Sequence, residues 1–273
     1  MALVGWTTGG ACAVAWIASL LSGDTSWVDR LWSVLPELYV ITFAAGQHFT
    51  DAPLDVLALL TVLWGARLTF NFARKGGYRG VEDYRWGVLR GRMSTWRFQL
   101  FNLFFIVLYQ NALLVLIALP AAVVAQHRRP WGIGDLVLSL LFVGLLVGET
   151  VADQQQWNFH REKARRRAAG SETSPGFCRE GLFRYSRHPN YFFEIAQWWV
   201  VYAFGVVAAG RLVSWTLAGP VLLTLLFAGS TRFTEEISAS KYPEYAQYQR
   251  EVSAVIPWRR RRVAADERAA DLA

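Results

Sequence analysis

Three observations predict an all-α, polytopic membrane fold. Of the 273 residues, 53% are hydrophobic and only 18% charged, a balance poorer in charge than a soluble domain of this length carries. Several apolar runs reach about 20 residues, the length a helix needs to cross a roughly 30 Å hydrocarbon core. The basic residues are also spread unevenly over the connections between those runs. The expectation is a single membrane domain over residues 1–273, with about seven transmembrane helices, the N-terminus outside and the C-terminus cytoplasmic.

The first expected span, residues 4–21, has no charge and carries Gly9, Gly10, Ala11 and Ala13, small residues that let a neighbouring helix approach. The leading MALVGWTTGG has no basic segment, so the run is expected to be retained and not cleaved as a signal peptide. The second span, 31–49, contains Pro36 and Glu37, and the third, 53–73, contains Arg67. The fourth, 98–120, carries Asn102, Gln110 and Asn111. The fifth, 132–152, is expected to run on as helix past Asp153 into a basic stretch at 161–167. Spans at 190–209 and 212–230 complete the set. A polar, amphipathic tail follows, and residues 259–273 are expected to be a basic, frayed end.

With this topology, 24 of the 28 Lys and Arg lie on the inner side: Arg30, the loops 74–97 and 153–189, and the tail. Arg128, Arg129 and Arg211 lie outside and Arg67 lies within a span. Orientation and contact with anionic lipid thus account for the net charge of +7, and no nucleic-acid partner is expected. Cys12 and Cys178 cannot build a disulfide framework. The four His and these two Cys show no metal-ligand spacing, so no metal is expected.

Several polar groups sit at membrane depth, where ionisable side chains mark candidate sites. Glu37 either pairs with Arg67 or is an intramembrane acid facing a substrate cavity, and Pro36 before it can free a backbone carbonyl. Asn102, Gln110 and Asn111 read first as interhelical hydrogen-bond partners. Glu149, Asp153 and Gln156 are spaced i, i+4, i+7 and share one helix face. Arg165, Arg166 and Arg167 read as a lipid-facing topogenic cluster.

The stretch GLFRYSRHPNYFFE (181–194) is denser in chemistry. Arg184 and Arg187 lead into His188-Pro189, and Pro189 is suited to the first turn of a helix. Asn190 and Glu194 then fall one turn apart. Guanidinium forks and a helix N-terminus suit phosphates, and an Asn with a carboxylate can hold a carboxamide. A nicotinamide dinucleotide phosphate has both kinds of group. No GxGxxG is present, so a Rossmann site is not expected. Tyr245 and Tyr248 in the tail belong either to a helix lying on the membrane or to one closing the cytoplasmic mouth of a site.

The segments ETVADQQ (149–155), GLFRYSRHPNYFFE (181–194) and YAQYQREVSAVIPW (245–258), with EDYRW (82–86) as a weaker piece, resemble the steroid 5α-reductase superfamily, in particular its bacterial branch of uncharacterised membrane proteins. The resemblance runs over residues 29–258. It implies a seven-helix fold with NADPH entering from the cytoplasmic side, in what would be a bacterial inner membrane. It implies cofactor contacts at Asp153, Asn190 and Glu194. Arg184, Arg187 and Arg232 are the basic candidates by position, and Glu149 stands where the family has an Asn. A catalytic Glu on the second span falls at Glu37. The family's Tyr on the third span falls at or near Trp64, and an indole cannot protonate a carbonyl as a phenol does. Tyr39 or Tyr109 would then take that role, or the substrate is not a 3-oxo steroid. The implied reaction is hydride transfer from NADPH to a polarised C=C bond of a lipophilic substrate: a steroid-like molecule, an isoprenoid or a lipid enone.

The leading alternative is an S-adenosylmethionine-dependent membrane methyltransferase of the isoprenylcysteine or phospholipid type. Such proteins share the RHP-x-Y turn and an Arg followed by paired Glu, here Arg232, Glu235 and Glu236. The ADxQ segment and the Asn190/Glu194 pair favour the reductase. A non-catalytic lipid binder or transporter is the third reading. The inverted repeats frequent among transporters are not seen in the sequence.

Overall fold

A computed structural model describes residues 1–171 and 174–261. The basic end at residue 262 and the tail 263–273 lie outside the described residues. The chain is all-α, and among the described residues the only strand-like pairing is one bridge between Ser186 and Ser253. Among the described residues six helical runs are long and apolar enough to span a bilayer, so the chain is a polytopic integral membrane protein. In order, α1 (Ala2–Ser22), α2 (Trp27–Trp32), α3 (Leu35–Gly46) and α4 (Ala52–Arg74) are followed by α5 (Tyr84–Arg92) and α6 (Thr95–Phe101). A π-helical segment, Asn102–Tyr109, joins α6 to α7 (Gln110–Gln126). Then come α8 (Ile133–Ala168), α9 (Pro189–Ala209), α10 (Ala218–Lys241) and α11 (Tyr245–Glu251).

The second expected span differs from expectation. In place of one helix over 31–49 the chain forms α2 and α3, separated at Ser33-Val34. Pro36 lies in the first turn of α3. It has no N–H to offer a preceding turn and its ring crowds that turn, which favours a break or kink here. The chain breaks, with Pro36 placed where a helix start tolerates it. At 12 residues, α3 is about 18 Å long, shorter than a hydrocarbon core.

The chain divides into two compact units: Met1–Val143 with Gln197–Thr224, and Gly144–Ala196 with Leu225 onward. In the first unit α3 packs between α4 and α7, while α1 packs on α2 and α7. Ala15, Val28, Trp86, Ile106 and Val107 form one buried cluster there. Two glycines set close approaches. A Cβ at Gly65 of α4 would collide with the Glu37 carboxyl of α3. One at Gly219 of α10 would meet the Leu116 carbonyl of α7 and lie 2.9 Å from the Ile117 nitrogen.

The EDYRW stretch has a structural task in this unit. Gly23, at φ 70°, caps α1 in the left-handed region that glycine enters without penalty. Glu82 accepts from both the amide and the hydroxyl of Thr25, each at 2.8 Å. Arg90 donates to Glu82 at 2.7 Å and to the Gly23 carbonyl at 3.1 Å. The Trp86 indole donates to Asp29 at 3.0 Å, and Asp83 caps α5 by accepting from the Arg85 amide at 2.9 Å. Burial raises the Asp29 carboxyl above its ordinary range. Burial acts the same way on Glu82, but the hydrogen bonds from Arg90 and Thr25 outweigh it and hold that carboxyl low.

Gly219→Val tests the packing at α10. Overpacking against backbone is expected to cost about 1–3 kcal/mol. Thermal unfolding of the purified protein should show a lowered midpoint, while Gly9→Ala, a helical site where a Cβ meets nothing within 4 Å, should not lower it.

Candidate functional site

The three stretches ETVADQQ, GLFRYSRHPNYFFE and YAQYQREVSAVIPW all belong to the second unit, and the fold brings them together. The Gln155 side chain of α8 accepts from the Leu182 amide at 2.9 Å, fixing the 3₁₀ turn Gly181–Arg184 against that helix. A short distance along α8, Gly148 leaves room for the Phe193 ring of α9. The residues that flank this contact are Glu149 and Glu194. The C-terminal segment then closes on the turn before α9. The Arg187 amide donates to the Ser253 carbonyl at 2.8 Å, the His188 amide to the Ala254 carbonyl at 3.0 Å, and the Trp258 amide to the Tyr185 carbonyl at 2.9 Å.

A buried ion pair holds this closure. Arg187 Nε and Nη2 donate to the two oxygens of Glu235 on α10, at 2.6 and 2.9 Å. Its Nη1 donates to the Gln249 carbonyl at 2.9 Å and to the Val252 carbonyl. Glu235 also binds His188 Nε2 at 3.0 Å and accepts from Gln249 Nε2 at 2.9 Å. Both members of the pair are only 9% exposed. The guanidinium fork matches the carboxylate edge to edge, a geometry that a lysine could not reproduce.

Aromatic packing supports the same closure. Phe177 contacts Tyr242, Tyr245 and Tyr248, and the Tyr248 hydroxyl donates to the Phe183 carbonyl at 2.6 Å. Burial pushes both the Tyr245 and Tyr248 phenols well above their ordinary range, so Tyr248 stays a donor. Lys163 of α8 donates to the Gly176 carbonyl and to the Tyr242 hydroxyl, each at 2.6 Å.

Against this frame the sequence-derived candidates separate. Glu149, Asp153 and Glu194 are buried at 3, 3 and 5% exposure, and each has interactions within the molecule. Asn190 is half-buried in the first turn of α9, one turn before Glu194, and Arg184 and Arg232 are exposed. Arg187, expected as a phosphate ligand, has its three nitrogens engaged with Glu235, Gln249 and Val252. Arg165 and Arg166 pair with Glu162 at 2.8 and 2.7 Å on an exposed face, which keeps them apart from the site. The Asp153 helix does continue, as α8 runs unbroken to Ala168. Sequence reasoning missed the anchoring role of Glu235 and Gln249. The available signal was the Arg-x-x-Glu-Glu run of α10, which offers carboxylates to a basic loop 48 residues earlier.

The remaining candidates belong to the first unit. Glu37 lies in the first turn of α3, and its Oε2, packed against Gly65, is buried without a hydrogen-bond partner among the described residues. Tyr39 is buried, with its hydroxyl 2.9 Å from that of Thr8. The Tyr109 hydroxyl donates to the Leu222 carbonyl at 3.3 Å, and its ring stacks on Phe105. Trp64 is fully buried and packs edge-on against Trp198 at 4.8 Å. Both tyrosines therefore have hydrogen-bond partners within the chain, while Glu37 Oε2 has none among the described residues. Among the described residues no group of His, Cys, Asp and Glu is arranged to hold a metal.

The chain belongs to the family described as Protein of unknown function (DUF1295), which matches residues 15–252 and so covers all of these candidates. It is also similar to an uncharacterised protein of Schizosaccharomyces pombe, at 40% identity over 262 residues, covering 89% of this chain and 76% of that protein. No solved structure matches.

Removing one partner of a buried ion pair leaves the other charge uncompensated, at a cost of about 3–5 kcal/mol. Glu235→Ala and Arg187→Ala should each show such a loss in chemical unfolding. Limited proteolysis of either variant should release the segment after Lys241 first. Arg187→Lys should restore only a minor part of the stability.

Proposed function

We propose that this DUF1295 member is an NADPH-dependent membrane reductase, acting on a polarised C=C bond of a lipophilic substrate. The observation that carries the proposal is the gathering, in one compact unit, of buried Glu149, Asp153 and Glu194 with Asn190 in the first turn of a helix. Carboxylates are costly to bury in an apolar protein unless they are paired or serve bound groups. These three have interactions within the chain and, with Asn190, form a polar set that a bound group would also meet. The resemblance of the same stretches to the steroid 5α-reductase superfamily supplies the identity of the cofactor.

The residues fit that cofactor chemically. Asn190 offers an amide donor and acceptor, and Glu194 two acceptor oxygens, the complement of a carboxamide. Arg184 and Arg232 are exposed cations suited to phosphates. Thr231, beside Arg232, buries a hydroxyl that has no partner among the described residues. Arg187 is assigned a supporting part: it fixes the turn from which Asn190 projects. When bound, NADPH would supply a hydride.

The chain's own residues would orient the cofactor, exclude water and handle the proton that balances the hydride. Glu37 is the candidate acid, because its buried Oε2 has no hydrogen-bond partner among the described residues. A proton held at Oε2 would pass to the substrate, leaving the carboxylate to be recharged from water. The Lys/Arg asymmetry supports a cytoplasmic cofactor face, and the apolar spans support a substrate that enters from the bilayer.

NADPH added at about a hundredfold excess over its Kd should stabilise the protein by roughly 2.7 kcal/mol in a thermal-shift assay. Asn190→Ala and Glu194→Ala should abolish that shift and Arg166→Ala should keep it. Stabilisation by S-adenosylmethionine with none by NADPH would instead favour the methyltransferase reading. Glu37→Gln should retain the NADPH shift and lose turnover by at least about a hundredfold, as loss of a general acid does, measured by NADPH oxidation with an enone panel.

A further inference from the structure

The second unit holds another concavity, with chemistry that the proposed reduction does not use. A cavity of about 290 Å³ is walled by Arg187, Arg250, Trp258, Arg259 and Arg261. Among the described residues its wall contains four arginines and no carboxylate. Two of the nearby cations are neutralised from within the chain: Arg187 by Glu235, and Arg260 by Glu251. Arg260 is not among the lining residues and donates to the Glu251 carboxylate, and the Arg261 amide is tied to the Glu251 carbonyl at 2.8 Å. This arrangement presents Arg259 and Arg261, on either side of Arg260, to the cavity. Neither guanidinium has a side-chain partner among the described residues.

From this geometry we infer that the cavity is a phosphoryl-binding site, with Arg259 and Arg261 as the ligands. Arg259 and Arg261 are exposed cations at the wall of one concavity, and a bound anion offsets the screened repulsion between them. Guanidinium forks match phosphate oxygens in a bidentate manner. The volume sits at the low end for small-molecule pockets, which suits a headgroup or a single phosphate. Ile256 and Trp258, on the same segment, are 65 and 70% exposed, the placement of side chains that anchor at a membrane interface. The phosphoryl group therefore comes either from an anionic lipid or from a soluble phosphate. The site is independent of the reductase proposal: it lies partly beyond the family match, which ends at residue 252.

The test uses the full-length protein in phosphatidylcholine nanodiscs. Inorganic phosphate is titrated against chloride at equal ionic strength, and in a second arm the discs include phosphatidylglycerol. Saturable stabilisation by phosphate over chloride assigns a soluble source. Stabilisation only with phosphatidylglycerol assigns the lipid. In either case the Arg259→Gln/Arg261→Gln double variant should weaken the apparent affinity by about tenfold or more, the loss expected for charge-assisted hydrogen bonds. Arg259→Lys/Arg261→Lys should fall between the two, and it carries the same readout should the glutamine variant be unstable. Equal responses in wild type and both variants, or no response to either probe, would overturn the inference.

Discussion

The Arg187–Glu235 pair is the constraint on which the second unit depends. One guanidinium reaches a carboxylate on α10 and two carbonyls of the C-terminal segment, and one carboxylate collects Arg187, His188 and Gln249. The turn before α9, the end of α10 and the closing segment are thereby fixed relative to one another. Pro189 can then begin α9 in a set direction, and Asn190 and Glu194 inherit that direction. A buried ion pair adds little net stability over a well-packed apolar contact. Its value here is geometric, because a bidentate pair specifies orientation as well as distance.

This constraint changes what the basic loop means. Read as a run of charge, residues 161–187 could be topogenic, phosphate-binding or structural throughout. The structure divides them. Arg165 and Arg166 are satisfied locally by Glu162, Lys163 braces Tyr242, Arg187 is an internal tie, and Arg184 stays exposed. The proposed cofactor chemistry falls to the buried carboxylates and Asn190, with Arg184 and Arg232 as the cations still open to a ligand. In the first unit Glu37 has the complementary character. Gly65 removes a side chain to admit its carboxyl, and the surrounding helices give Oε2 no donor.

Much of this was legible in the sequence, for physical reasons. Apolar run length is imposed by the bilayer, so six of the expected spans correspond to long helices. The i, i+4 spacings put Asp153 one turn from Glu149 and Glu194 one turn from Asn190, whatever their partners. The break of the second span was only half visible: Pro36 was plain, but whether the helix would bend or stop there depended on packing of α3 between α4 and α7. The role of Arg187 was not legible. A guanidinium fork pairs as well with a phosphate as with a glutamate 48 residues away, and local sequence carries no distinction between them. The Oε2 of Glu37, unpartnered among the described residues, was equally hidden, since its surroundings include a glycine on another helix. The EDYRW stretch, the weaker piece of the resemblance, ties α5 to the α1–α2 turn through Glu82 and Trp86.

Hydrogen exchange on the full-length protein, with and without NADPH, tests the reductase reading most directly. Expected is slowed exchange in residues 149–156 and 184–194 on addition of NADPH, with the loop 82–92 unchanged. Unaltered exchange in both of those segments at saturating NADPH, or protection confined to the first unit, would contradict it.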